Sequence, residues 1–310
     1  MGRTRFGRPG HGYDERVSEQ QVVLVTGATG FVGSRVVPAL IEAGHDVRAM
    51  TRRPEAYDGP GEPVGGDVSD PGTLADPLAG VDVAVYLVHS LDDGDFEHKD
   101  AEAARAFGLA AAASGVRQIV YLGGLGRDDD RLSPHLRSRR EVERLLGESG
   151  VPVTVLRAAI VVGSGGISWE MTRQLIKNLP GMVVPRWALT RTQPIALEDV
   201  VRYVVGVVGN DAALDRVFEI GGADRLSYVE MLQQASEVMN GRRVPIVTVP
   251  VLTAKLSSYW ISFITDVDVT TGRNLIDSMG TEVVVTDDSI RELVPGEPLT
   301  YQEAVRRAVG

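Results

Sequence analysis

Three glycines near the start of the chain have the spacing of a nucleotide-binding turn. Gly27, Gly30 and Gly33 follow a short apolar stretch, Gln21 to Thr26, and two residues separate each from the next. The first glycine allows a sharp turn, the second admits a pyrophosphate close to the backbone, and the third lets a helix pack close to the strand. The N–H groups of the following helix would attract phosphates. The pattern predicts a dinucleotide-binding loop.

The context of this loop strengthens the prediction. A second apolar stretch from Asp46 to Met50 follows, and between the two stretches apolar residues recur at helical spacing, namely Val32, Val36, Val37, Leu40 and Ile41. A strand, a glycine loop, a helix and a second strand in this order form a βαβ unit. The alternative is a glycine-rich turn without a ligand in a chain of 35 glycines, and the βαβ context argues against it.

Two arginines follow the second predicted strand and bear on the choice of cofactor. Arg52 and Arg53 end the stretch Val47 to Arg53, where no acidic residue occurs. An acid near this point takes the ribose hydroxyls of NAD, whereas an arginine favours the 2′-phosphate of NADP. We therefore expect NADP(H) rather than NAD(H), the alternative being that both arginines are solvated loop charges.

Alternation of predicted strands and helices from Gln21 to about Ala159 indicates an α/β fold, a doubly wound parallel sheet with its ligand at the carboxyl ends of the strands. The sixth strand is predicted over Val153 to Ala158. The predicted helices are Phe31 to Ala43, Pro71 to Leu78, Asp95 to Ser114, Pro134 to Leu146 and Leu197 to Val208.

Several segments resemble the short-chain dehydrogenase/reductase superfamily in its extended and atypical branches. The resemblance covers about residues 20 to 240, and it is carried by Thr26 to Gly33, Gly66 to Asp70, Val81 to Val88, Gln118 to Leu122 and Gln193 to Val200. A narrower group, the NAD(P)H-binding NmrA-like and complex I accessory subunit proteins, is similar at Tyr86 to Ser90, Leu136 to Arg139 and Pro185 to Trp187.

The resemblance implies a Rossmann core of residues 21–162 and 192–220 and a smaller substrate lobe of residues 163–191 and 221–310. In it, Asp67 corresponds to an acid that contacts adenine. The cofactor contacts implied by the glycine loop, the arginines and the resemblance are Gly27, Thr29, Gly30, Phe31, Val32, Gly33, Arg52, Arg53, Asp67, Val68, Leu87, Val88 and His89.

The catalytic residues of the superfamily are absent where they would be expected. The superfamily uses Tyr-x-x-x-Lys on the helix after the fifth strand, with Ser or Thr at the end of that strand. Here Gly123 and Gly124 occupy the strand end, and the helix carries His135 and Arg139 one turn apart. Ser133 and Pro134 suit the N-cap and first position of that helix. We therefore expect His135 to be the proton donor and Arg139 to bind the nicotinamide ribose or a substrate anion.

Alternatives remain open at this site. His135 and Arg139 could instead brace the neighbouring loop, and His89 with Ser90 forms a second polar pair close to the expected cofactor. Arg139 should lower the pKa of His135, so that the rate of a His135-dependent enzyme would fall as pH rises through about 6 to 7.

The predicted function is that of an NADP(H)-binding oxidoreductase that reduces a carbonyl or activated double bond of a small, fairly apolar molecule. The loss of the tyrosine and lysine supports an alternative, a non-catalytic NADPH-binding sensor or accessory protein. An isomerase or epimerase is a third class, disfavoured because no sugar-nucleotide signature stands out.

Composition excludes several other classes. The chain of 310 residues has no cysteine, so thiolate metal sites and disulfides are excluded, and a reducing, cytoplasmic location is expected. A net charge of −10 argues against nucleic acid as a partner. No apolar run reaches the 18 to 20 residues that span a bilayer. Residues 1–20 are expected to be a disordered tail, and the acidic run Asp128 to Asp130 a solvated turn rather than a metal site.

Large apolar residues after the core are candidates for the substrate pocket. Trp169, Met171, Trp187 and Trp260 could line it or belong to the core. The stretch Val251 to Ile264 is predicted to be a helix that covers the pocket or a partner, because its apolar residues recur at helical spacing, and ordinary core packing is the alternative.

Overall fold

The computed structural model describes residues 20–89, 95–126, 132–249 and 279–310. The predicted tail, apart from residue 20, lies outside these ranges, as do Ser90, the acidic run Asp128 to Asp130 and the helix predicted over Val251 to Ile264.

Strands occur in both halves of the chain, and the longer ones come mainly before residue 160. In chain order they are β1 Val22–Thr26, β2 Asp46–Thr51, β3 Glu62–Gly65, β4 Val83–Tyr86, β5 Gln118–Gly124, β6 Val153–Ala158, β7 Val161–Val162, β8 Met182–Pro185, β9 Arg191–Thr192, β10 Ile195–Ala196, β11 Val217–Ile220, β12 Leu226–Ser227 and β13 Ile246–Val249.

Helices connect most of these strands. They are α1 Gly33–Glu42, α2 Ala75–Leu78, α3 Phe96–Ala113, α4 Pro134–Gly147, α5 Ile167–Asn178, α6 Leu197–Val207, α7 Tyr228–Asn240, α8 Ile290–Leu293 and α9 Tyr301–Val309. Short 3-10 turns occur at Pro54–Ala56, Pro71–Thr73, Arg186–Leu189 and Asp211–Ala213. Within the described ranges, none of the helices combines the length and the apolar character that crossing a bilayer requires.

Seven strands form one parallel sheet in the order β11-β6-β5-β4-β1-β2-β3. The strand order runs outward in both directions from the adjacent pair β1 and β4. This reversal leaves a crevice at the carboxyl ends of those two strands, which is where open α/β sheets bind ligands. The predicted doubly wound parallel sheet is confirmed.

Alternate side chains of each strand pack against helices on opposite faces of the sheet. In β1, Val23 and Val25 pack in a core that includes α1 and α6, whereas Leu24 packs in a core that includes α3 and α4. Both faces are therefore covered, as a parallel sheet requires. A third apolar cluster joins α5, α7 and α9, and Trp169 and Met231 are buried in it.

The segment from Pro71 to Leu78 differs from the prediction of one helix. The structure has a 3-10 turn at Pro71–Thr73, where the Asp70 carboxylate accepts from the Gly72 N–H (3.0 Å), and then α2. Pro77 lacks the N–H that a continuous helix would bond to the preceding turn. It is tolerated because it lies in the first turn of a helix that restarts at Ala75.

Candidate nucleotide and substrate site

The glycine loop between β1 and α1 has the geometry that its sequence predicts. Gly27 has φ of +63°, a left-handed conformation that favours glycine. A Cβ on Gly33 would lie 2.2 Å from the Gly27 carbonyl oxygen, so only glycine permits this approach of helix and loop. The Thr26 hydroxyl accepts from the Leu87 N–H (3.0 Å) and donates to the Val85 carbonyl (3.3 Å), which ties the ends of β1 and β4 together.

The N-terminus of α1 faces the crevice and fits a dinucleotide phosphate. Val32 occupies the N-cap position, and no side chain caps the helix. The first N–H groups of a helix have no intrahelical acceptor, and together with the helix dipole they favour an anion. The close backbone packing at Gly33 and the uncapped helix end are both suited to a pyrophosphate.

A cleft of about 470 Å³ runs from this loop along the carboxyl ends of the strands. Every predicted contact of the glycine loop and of the turn after β4 lines it, namely Gly27, Thr29, Gly30, Phe31, Val32, Gly33, Leu87, Val88 and His89. His135 and Arg139, predicted from a helix more than 100 residues later, line the same cleft.

The remaining predicted cofactor residues lie outside the cleft lining. Arg52 and Arg53 are exposed directly after β2. The Asp67 carboxylate accepts from the Ser69 N–H (2.9 Å) and hydroxyl (2.7 Å). Burial opposes ionisation of Asp67, but the hydrogen bonds from Ser69 and the charge of Arg52 lower its pKa overall. The Val68 side chain is buried in the sheet core.

The start of α4 presents His135 and Arg139 to the cleft. The Ser133 hydroxyl accepts from the Leu136 N–H (3.3 Å) as the N-cap, as predicted. Burial, and then the positive charge of Arg139, lower the pKa of His135 to about 3. The predicted direction of this shift is confirmed, but burial is its larger cause. The imidazole is therefore neutral at physiological pH.

Arg139 supplies the positive charge of this part of the cleft. The residue is only 7% exposed, and its carbonyl accepts from the Tyr121 hydroxyl (3.3 Å). Its guanidinium forms no ion pair within the described ranges. Solvent reaches His89 from the cleft, but protein surrounds most of its imidazole ring. This burial, and then the nearby Arg139 and His135, lower the pKa of His89 well below its usual value.

An ion-pair network holds the cleft wall that follows β5. Glu143 on α4 accepts from Arg157 on β6 (2.6 and 3.1 Å) and from Arg140 (3.3 Å). Arg140 also donates to the carbonyls of Gly124 (3.2 Å) and Gly126. The three charged side chains are 11–16% exposed, so their geometry is well constrained. The backbone after β5 is thus fixed by groups on α4 and β6.

A second cavity of about 550 Å³, which we call the apolar chamber, adjoins the cleft. It shares four lining residues with the cleft: Ile160, Ser168, Tyr228 and Met279. The rest of its wall is mostly aliphatic, sulfur-containing or aromatic, with Met171, Leu175, Leu179, Met182, Val184, Trp187, Met231 and Leu232 among its residues. The apolar chamber therefore lies directly beside the nucleotide cleft.

The predicted pocket residues divide between cavity and core. Met171 and Trp187 line the apolar chamber, Trp169 is buried in the third apolar cluster, and Trp260 lies outside the described residues. Sequence reasoning missed Tyr228, which lies at the junction of the two cavities. Its only signal was a position inside the capping pattern Ser227-x-x-Glu230, which predicts a helix start and not a site. No cluster of metal-ligating residues occurs in the described parts of the chain.

Comparison with known proteins identifies the family. A family model described as NAD(P)H-binding matches residues 27–217. The chain is 33% identical over 225 residues to a (4-alkanoyl-5-oxo-2,5-dihydrofuran-3-yl)methyl phosphate reductase of Streptomyces griseus, covering 70% of this chain and 74% of that protein. It is 27% identical over 230 residues to a ceramide reductase of Caulobacter vibrioides, covering 71% of each.

A solved structure shows the same fold. The NADPH-dependent quinone oxidoreductase of Escherichia coli, in complex with NADPH, superposes with a TM-score of 0.76 at 19% identity, covering 93% of this chain and 100% of that one. The superfamily and the nicotinamide cofactor that the sequence predicts are confirmed by the family model and the relatives. The chain belongs to the NAD(P)H-binding, oxidoreductase-like family of the atypical short-chain dehydrogenase/reductase superfamily.

Proposed function

We propose that this protein is an NADP(H)-dependent reductase that acts on a carbonyl or an activated double bond of a small, largely apolar molecule. The observation that carries the proposal is the position of the apolar chamber beside the nucleotide cleft, with four wall residues in common. Ligand sites are typically apolar cavities of about 300–1,000 Å³ with a few convergent polar groups. Here the polar groups are on the cleft side, at His89, His135 and Arg139.

The names of two relatives support an apolar substrate. One is named as a reductase of a methyl phosphate that carries an alkanoyl group, and the other as a ceramide reductase; the alkanoyl group and ceramide both contain hydrocarbon chains. In this chain the wall formed by Met171, Leu175, Met231 and Leu232 would exclude water from such a chain. The flexible thioethers of the methionines can adapt to ligands of different shape.

NADP(H) is the proposed cofactor because of the charges after β2. Arg52 and Arg53 are exposed at the carboxyl edge of the sheet, where the adenosine end of a dinucleotide would lie. Arg52 also acts on Asp67, whereas Arg53 has no ion-pair partner among the residues described. Either guanidinium could bind a 2′-phosphate with two hydrogen bonds.

Each polar residue of the cleft has a proposed role. A bound reduced nicotinamide would supply hydride to the substrate. Arg139 would hold the nicotinamide ribose or a substrate anion, because it keeps a buried positive charge at the cleft. His135, neutral at physiological pH, would donate its ring N–H to a developing oxyanion rather than act from the imidazolium form. His89 would position the cofactor from the turn after β4.

The test is consumption of NADPH by the full-length protein with a panel of aliphatic ketones, quinones and enones. Turnover of at least one class is expected, with a lower KM for members that carry a longer alkyl chain. His135→Ala should lower kcat about a hundredfold while NADPH still binds, because general-acid and oxyanion contributions have this size. Full activity in His135→Ala would move the role to His89, which is the other imidazole at the cleft.

A second candidate function is that of a non-catalytic NADPH-binding sensor. The observation that favours it is the pair Gly123 and Gly124 at the end of β5, which leaves no hydroxyl beside the cleft at that point. NADPH binding without turnover of any substrate class in the panel would support the sensor and refute the reductase.

A further inference from the structure

We propose that the Tyr228 hydroxyl binds the oxygen atom of the ligand, so that the ligand lies across the junction of the two cavities with its apolar part in the chamber. This inference rests on the proposed function and adds to it a specific oxygen-binding group. Tyr228 lines both the nucleotide cleft and the apolar chamber. The superfamily motif on α4 gives no reason to expect it.

Tyr228 is held rigidly at this junction. It is the first residue of α7, whose N-terminus is fixed by a reciprocal capping box between Ser227 and Glu230. The preceding strand β12 pairs with β9, which places Leu226 opposite Thr192. The Tyr228 ring contacts Trp187 edge to face, with 6.2 Å between ring centroids and 79° between planes. The direction of the hydroxyl is therefore set by both the helix start and the chamber wall.

Polar atoms beside Tyr228 lack partners in the protein. The Thr192 hydroxyl is fully buried and the Trp187 indole N–H is buried as an atom, and neither makes a hydrogen bond within the described ranges. The Thr192 hydroxyl faces the Tyr228 hydroxyl and interacts with it, which lowers the pKa of Tyr228 in part, although the contact falls short of a well-formed hydrogen bond. Buried polar groups without partners are rare in native proteins. Thr192 lines neither cavity and Trp187 lines the apolar chamber alone, whereas Tyr228 lines both cavities, so its hydroxyl is the polar group of this cluster best placed to meet a ligand at the junction.

The chemistry of the phenol fits a neutral oxygen acceptor. Burial raises the pKa of Tyr228, an effect that the nearby Thr192 hydroxyl only partly offsets. The phenol is therefore protonated across the physiological range and donates a hydrogen bond. A carbonyl oxygen accepts such a bond, whereas a hydrocarbon does not. The ligand class is an aliphatic or alicyclic ketone, aldehyde or enone with an apolar body.

The experiment compares two probes of nearly the same shape. 2-Nonanone carries a carbonyl oxygen, and 2-methyl-1-nonene replaces that oxygen with a methylene group. Binding of each to the full chain saturated with NADP⁺ is measured by titration calorimetry, which requires no turnover. The wild-type protein should bind the ketone about fivefold to tenfold more tightly, the size expected for one net hydrogen bond.

Three variants then locate the origin of that preference. Tyr228→Phe should bind both probes with the affinity that the wild type has for the alkene. Leu175→Trp, which fills the chamber, should weaken both probes by about tenfold or more. The matched control Tyr57→Phe removes a hydroxyl that bonds to Pro60 away from both cavities, and it should bind like the wild type.

The outcomes separate this inference from the proposed function. A ketone preference that persists in Tyr228→Phe would overturn the role of Tyr228 and leave the reductase proposal standing. Binding of neither probe by the wild type would overturn the inference directly. If the preference depends on Tyr228 but no carbonyl compound is turned over with NADPH, the oxygen-binding site is supported and the reductase proposal fails.

Discussion

The Phe31 ring lies against the backbone of Gly166. A Cβ on Gly166 would lie 2.6 Å from Cζ of Phe31, and one on Gly163 would lie 3.2 Å from the same atom. Phe31 belongs to the nucleotide-binding loop, whereas Gly166 is the N-cap of α5. The loop that faces the cofactor is thus packed directly onto the helix that lines the apolar chamber, so a displacement at either side must affect the other.

The substitution Gly166→Ala tests this coupling. Gly166 has φ of −77°, so alanine meets no backbone strain, and the three atoms nearest to its Cβ all belong to the Phe31 ring. Overpacking of this kind costs about 1–3 kcal/mol. We expect a lower midpoint of urea unfolding and about tenfold weaker NADPH binding, measured by calorimetry.

The matched control for that variant is Gly147→Ala at the end of α4. A Cβ at Gly147 has no neighbour within 4 Å, and alanine favours helices over glycine by about 1 kcal/mol. The control should bind NADPH normally and unfold at the same or a higher urea concentration. Unchanged NADPH affinity in Gly166→Ala would show that the loop tolerates displacement of Phe31.

The cofactor preference is tested at the two arginines after β2. Arg52→Ala or Arg53→Ala should weaken NADPH binding about tenfold, the scale of one charge-assisted contact, and leave NADH binding nearly unchanged. Arg242→Ala, which removes an exposed arginine after α7, serves as the control for loss of charge. Equal affinity of the unmodified protein for NADH and NADPH would contradict the NADP(H) proposal.

The predictable part of the fold is the part in which local sequence and sheet packing agree. The strand Val153–Ala158 has the predicted bounds, and the helix starting at Pro134 ends within one residue of its predicted end. The strand Val217–Ile220 was not predicted, because four residues carry too little periodicity to distinguish a strand from a loop. Its place at the sheet edge depends on pairing with β6, which is not visible in local sequence.

The site was predictable on the cofactor side and not on the substrate side. Contacts from Gly27 to Gly33 follow from a motif with a known physical role, and His135 followed from an analogy with the superfamily helix. Tyr228 and Met279 reach the junction from the distant third of the chain. Their position depends on how the third apolar cluster packs on the sheet, and residue spacing carries no such information.

The acidity of His135 gives a prediction with a defined sign. With a folded pKa of about 3, His135 stays neutral between pH 5 and 8, so it should not cause the rate to fall through pH 6 to 7, contrary to the sequence-based expectation. The unfolded chain binds a proton on this histidine below about pH 6.5, whereas the folded chain does not. Stability should therefore fall as pH decreases from 6.5 towards 3.

Urea unfolding at pH 7 and pH 5 measures this effect. His135→Gln should lose less stability on acidification than the wild type, with a difference of at most about 1.4 kcal/mol per pH unit for one proton. His98→Gln on α3 is the control, because the His98 side chain is 65% exposed and stays hydrated in the folded protein. An identical acid slope in His135→Gln and the wild type would contradict the burial of a neutral imidazole.

The network around Glu143 predicts that a residue remote from the ligand controls the cleft. Glu143→Ala would leave Arg140 and Arg157 without their shared carboxylate, and breaking a buried ion pair costs about 3 kcal/mol or more. Arg140 would also lose the anchor that directs it to the Gly124 and Gly126 carbonyls, so the cleft wall should move and binding of NADPH should weaken severalfold.

Glu141→Ala separates this effect from a general loss of negative charge on α4. Glu141 pairs with Arg144 at the surface, where its side chain is 44% exposed, and exposed pairs contribute about 0–1 kcal/mol. Urea unfolding and NADPH calorimetry of both variants should show a large change in Glu143→Ala alone. Equal, small changes in the two variants would mean that the backbone after β5 holds its position without Arg140, because the hydrogen bonds of β5 and β6 would then suffice to fix the cleft wall.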